Sequence, residues 1–252
     1  MRILSVLALL LLSTPTLAEE TRVVVRARAR DGKFVGTSMG GAQVVLRDAE
    51  TGQLLARGVT SGTTGDTQRL MKQPYARGTQ LADEKSAKFE ATLVLDEPRL
   101  VTVEVSGPEA QRQARITSST QVWVIPGKHL TGDGIILELP GFVVDVLEPR
   151  AHEFIRLEGK PRNVPIRVNL VLMCGCPTEP GGLWDSSKYE LRAVVRRDGK
   201  PVTLVPLSYA GKTSAYEGQL SVQEKGAYEI LVTAYDPNTG NTGVDRTTFI
   251  VE

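Results

Sequence analysis

The chain has 252 residues, enough for one large or two small domains. Thirty basic residues against twenty-nine acidic ones leave a net charge of +1, which excludes a global attraction to nucleic acid or to an anionic membrane. Aromatics are 5%, and two cysteines are too few for a disulfide framework, so each domain must stand on its own apolar core.

Residues 1–18 read as a cleaved secretory signal. Arg2 supplies the positive start, Ile3 to Leu12 form a short apolar core, and Ala18 is the small residue at the cleavage site. That core is too short for a bilayer, which takes about 20 residues. The mature chain is expected to begin near Glu19 and to work in the periplasm or outside the cell.

The first strand, Thr21 to Arg30, alternates. Val23, Val25, Ala27 and Ala29 share one face, and Arg22, Arg26, Arg28 and Arg30 the other. The arginine row is expected to be a solvated outer face that discourages edge pairing. Asp31-Gly32 marks a turn, Val44 and Leu46 belong to a second strand, and Leu54 to Thr60 to its return. A strand opening Gly41-Ala42-Gln43-Val44, a turn ending Thr51-Gly52-Gln53 and the stretch Gly58-Val59-Thr60-Ser61-Gly62 resemble the carboxypeptidase-regulatory-like, transthyretin-type β-sandwich over residues 21–106. The resemblance implies a non-catalytic support or binding module.

Residues 68–88 break the alternation, and a loop this long is either functional or disordered. Met71 and Tyr75, set among Arg69, Lys72 and Arg77, make it a candidate docking surface; a plain surface excursion is the competing reading. Further strands follow at Phe89–Leu95, Val101–Val105, Arg115–Ile125 and Ile135–Leu139. Trp123 and His129 are candidates for a contact between domains.

Pro140-Gly141 divides a first sandwich, 19–140, from a second, 141–252. Strands are expected at Val164–Cys174, Tyr189–Arg196, Val202–Leu207, Tyr216–Val222, Ala227–Tyr235 and Val244–Val251, the spacing of an immunoglobulin-like sandwich. Lys225-Gly226-Ala227-Tyr228 resembles the tyrosine corner of such a domain. The fold class is therefore all-β, two tandem β-sandwiches.

The least generic stretch is Cys174 to Trp184. If the strand continues, Cys174 and Cys176 point the same way with Gly175 between them. A disulfide, a copper or zinc site completed by Met173, and a redox pair or intermolecular bond all compete. Pro177 to Trp184 is a stiffened loop in which Leu183 and Trp184 either contact a partner or plug the core end. Gly36-Thr37-Ser38-Met39-Gly40 spells a nucleophile elbow, but no helix follows and neither histidine carries a flanking pattern, so a hydrolase is not expected. Asp236, Asn238 and Asp245 are read as hairpin residues rather than a calcium loop. The expectation is a non-catalytic binding or accessory protein of the envelope or extracellular space with a protein partner and no cofactor; metal handling through the two cysteines is the alternative.

Overall fold

The computed structural model describes residues 18–252, so the predicted signal, Ala18 apart, lies outside the described residues. The chain is almost wholly β. The first half holds β1 (Glu19–Ala29), β2 (Gln43–Asp48), β3 (Leu54–Val59), β4 (Phe89–Leu95), β5 (Arg99–Gly107), β6 (Ile116–Val124) and β7 (Leu130–Leu139). They form two sheets, β4-β1-β7 and β3-β2-β5-β6. Val23, Val25, Ala27 and Ala29 of β1 face Val44, Leu46, Val101, Val103 and Val105 within one apolar core, as the period of two demands.

The second half holds β8 (Phe142–Glu148), β9 (Glu153–Ile155), β10 (Arg162–Leu172), β11 (Glu190–Arg197), β12 (Lys200–Pro206), β13 (Ser208–Tyr209), β14 (Ala215–Val222), β15 (Gly226–Tyr235) and β16 (Thr242–Val251). Its sheets are β13-β14-β10-β8 and β12-β11-β15-β16-β9. This is the ABED-against-CFG order of an immunoglobulin-like sandwich. The tyrosine corner is made as expected: Tyr228 donates its hydroxyl to the Glu224 carbonyl, 2.9 Å away. No sheet mixes strands from the two sides of Pro140-Gly141.

Three features stand out against the sequence reading. The arginine row of β1 is solvated only in part: Arg22 is exposed, Arg28 and Arg30 are half-buried, and Arg26 is buried. β1 is the centre of its sheet, and the segment after β3 folds back over its outer side, pairing Ser61 with Lys88 and Thr63 with Ser86. Arg26 is 3% exposed, donating to the carbonyls of Ser86 (2.6 Å), Ala87 (2.9 Å), Gly132 (3.1 Å) and Asp133 (3.2 Å), with its guanidinium over Phe34. Desolvation lowers its pKa, opposed by the nearby Asp133 and Asp83 carboxylates. Alternation alone does not reveal a chain segment lying across the polar face.

The second is parallel pairing, on which the strand patterns say nothing: β1 runs alongside β7, and β9 alongside β16. The third is that β10 stops at Leu172, so Cys174 and Cys176 lie in a turn and not on a continued strand.

Candidate functional site

Two stretches concentrated the predicted contact residues, and the structure treats them differently. After Leu172 the chain reverses at once. Gly175 N donates to Leu172 O (2.8 Å) and Leu172 N to Cys176 O (3.1 Å), and Val171 bridges to Pro177. Gly175 turns the corner with φ +74°, where a side chain is disfavoured. Cys174 and Cys176 form a disulfide across it, with Cα atoms 5.3 Å apart. Both residues are buried.

This turn packs against the first sandwich. A Cβ on Gly32 would lie 3.1 Å from Cys174 Sγ, and one on Gly175 would lie 2.7 Å from Met39 Sδ. Contact this close requires glycine on both sides. Met173 points the other way, its Cε 3.1 Å from where a Gly141 Cβ would stand. Metal handling required two free thiolates with Met173 beside them. The sulfurs are instead bonded to each other and Met173 is buried elsewhere, so the donor set does not fit a copper or zinc ion.

Trp184 completes the same junction. It is buried, and its indole N–H donates to the Asp31 carbonyl at 2.7 Å, joining residues 153 apart in sequence. Asp31 is held in the left-handed region at φ +54°, which Asp tolerates better than most residues. Asn241 adds a second tie: its Nδ2 donates to Arg30 O (3.2 Å) while its Oδ1 accepts from Gly141 N (2.6 Å). Gln113 donates to Val144 O. One apolar cluster therefore runs without interruption from Val25 and Leu139 through Phe142, Cys174 and Trp184 to Phe249. Leu183, next to Trp184, is exposed.

The junction is also acidic on one side. Desolvation, and then Asp236, push the Asp31 carboxyl up, with Arg28 opposing. Burial, followed by Asp236 and Asp31, raises the pKa of the Tyr189 phenol, whose ring leans on Phe142 at 5.0 Å. Asp236 is a turn residue, accepting from Asn238 N (2.9 Å) and the Thr239 hydroxyl (2.7 Å), while Asp245 reaches across to Val146 N (2.8 Å). Trp123 and His129, expected between the domains, are elsewhere. Trp123 is 57% exposed on β6, and His129 Nδ1 accepts from Arg22 N within the first sandwich.

The 68–88 stretch is anchored at both feet and free at its tip. Gln68–Lys72 makes one wide helical turn that buries Leu70 with Phe34, Ala82 and Ala87, and Met71 packs half-buried on this cluster. At the other foot the Asp133 carboxylate accepts from Leu81 N (2.9 Å) and Ala82 N (2.7 Å). Asp83 accepts from Ser86, which holds its pKa below the usual carboxylate range. Between the feet, Lys72 through Gln80 are exposed, with Tyr75 54% accessible.

Ser38 of the elbow-like motif sits in a single short turn, Thr37–Met39, with no helix behind it. Among the described residues it makes no hydrogen bond to a histidine: His129 is engaged by Arg22, and His152 lies edge-on to Phe154 in the second sandwich.

No protein-family model matches this chain, and no curated protein matches it. Among solved structures it is similar to the Clostridium thermocellum CbhA fibronectin(III)-like modules, at 13% identity over 92% of this chain and 94% of that one, with a TM-score of 0.29. It is similar also to the ICAM-5 D1-D4 ectodomain fragment, at 11% identity over 94% of this chain and 50% of that one, with a TM-score of 0.25. Overlap this loose decides nothing about ligand or partner; the sandwich fold rests on the strand order and register.

Proposed function

We propose that this is a non-catalytic binding or accessory protein of the periplasm or extracellular space, in which two sandwiches fused into one body present the 72–80 tip to a protein partner. The observation that carries this reading is the contrast within one loop, whose feet are tied by buried contacts while Tyr75 stands exposed between them. A loop of solvent-facing residues on a fixed scaffold is the usual place for recognition, and tyrosine is a residue type that anchors interfaces. Export is supported by the signal-like composition of residues 1–18, and no helix among the described residues is long and apolar enough to cross a membrane. The transthyretin-type resemblance of the first sandwich points the same way, toward a supporting or binding module.

The test is retention of envelope proteins by the immobilised mature protein, compared with a Tyr75→Ala, Arg77→Ala variant of unchanged thermal unfolding. Proteins held by the first and lost with the second are expected. Identical sets from both would refute the tip as the contact surface, and Leu183→Ala then becomes the variant to examine.

A further inference from the structure

The charge of the tip names the kind of partner. Between Asp66 and Asp83 the chain carries three cations, Arg69, Lys72 and Arg77, and no carboxylate, in a protein whose overall charge is only +1. Some arginines elsewhere sit against a carboxylate, Arg30 on Glu138, Arg156 on Glu252, Arg167 on Glu148 and Arg196 on Glu229, while Arg22, Arg47, Arg57, Arg112 and Arg150 are exposed with no ion-pair partner among the described residues. Lys72 and Arg77 have no ion-pair partner among the described residues. Arg69 has Asp83 nearby, which it helps to keep ionised. Asp66, which accepts from Arg69 N, and Asp83, which accepts from Ser86, spend carboxylate oxygens on capping backbone.

These cations flank the one aromatic of the tip. Tyr75 follows Pro74, which fixes its own φ, and Thr79 N closes a turn onto Ala76 O at 3.1 Å. A tyrosine between Lys72 and Arg77 combines a stiff apolar anchor with donors for carboxylates, the pairing found at protein interface centres. Membrane binding through charge takes clusters of about 4–8 cations, more than this tip holds. We infer that the 72–80 tip docks onto an acidic protein surface, with Tyr75 as the anchor and Lys72 and Arg77 meeting carboxylates. This rests on the reading of the tip as the contact surface.

The experiment places a benzophenone-bearing phenylalanine at position 75 of the full chain in its own cells and irradiates them. One discrete protein adduct is expected, lost at least tenfold when Lys72→Glu and Arg77→Glu are added; both sites are exposed, so thermal unfolding should not move. Mass spectrometry of the adduct then identifies acidic residues at the crosslink, and changing two of them to lysine should restore the adduct to the charge-reversed tip. An adduct unaffected by charge reversal, or not restored by the partner's lysines, overturns the acidic-partner inference and leaves the contact surface standing. An adduct that is lipid or glycan also overturns it. No adduct from position 75, together with an adduct from the same probe at position 183, overturns both.

Discussion

The two excursions of this chain, 68–88 and 173–186, look alike in composition and end in opposite roles. Each interrupts a strand pattern, each carries one large aromatic, and each contains proline and glycine. Trp184 lands on the Asp31 carbonyl of the other sandwich and is buried, whereas Tyr75 lands on nothing and stays open. The difference lies in what faces each loop. The disulfide-closed turn meets a glycine and a methionine that leave room for it, and the 68–88 loop spends its apolar residues on its own feet. An aromatic in a loop thus becomes core or contact surface according to its neighbour across space, not its neighbours in sequence.

Four substitutions break or sharpen this comparison. Trp184→Ala should have the largest effect, removing a buried indole at a cost of about 3–5 kcal/mol, read by denaturant unfolding; a second, separate transition would show the sandwiches uncoupling. Arg26→Leu should cost about 1–3 kcal/mol, because the buried carbonyls of Ser86 and Ala87 lose their donor, and should raise amide exchange across 80–88 while leaving 173–186 protected. Asp31→Asn tests the acidic side of the junction. The folded-state pKa of Asp31 is raised, so its contribution is fully present below the unfolded value of about 4 and is lost as pH rises through the folded value. The variant should therefore be the more stable form at neutral pH, and its stability should vary less with pH above 4. Tyr75→Ala should change stability by no more than about 0.5 kcal/mol; a larger loss would mean the tip is packed after all.

Strand positions were legible because side-chain alternation records burial directly, and nearly every strand expected from Thr21 to Val251 is present. Tyr228 was legible too, since the corner it makes is closed by a carbonyl only four residues away. What sequence could not show was long-range. Nothing local in Arg26 says that residues 86–87 cross over it, and nothing in Trp184 names Asp31. Met39 stands out in sequence only as part of the elbow-like spelling, and Asn241 only as the end of a hairpin, yet both belong to the junction. The fate of the cysteines turned on where β10 ends, and boundaries are the weakest part of any pattern. Short pairings such as β9 with β16 span three residues and leave no period to detect.

The central claim is that one loop is committed to the joint between sandwiches and the other is free to meet a partner. Native-state amide hydrogen exchange on the intact protein tests it most directly. The amides of Leu172, Gly175 and Glu179 and the indole N–H of Trp184 should be protected far above those of Tyr75 to Gly78, with Leu81 and Ala82 protected again by Asp133. Rapid exchange at the Trp184 indole, or protection across Tyr75 to Gly78 in the isolated protein, would contradict the account.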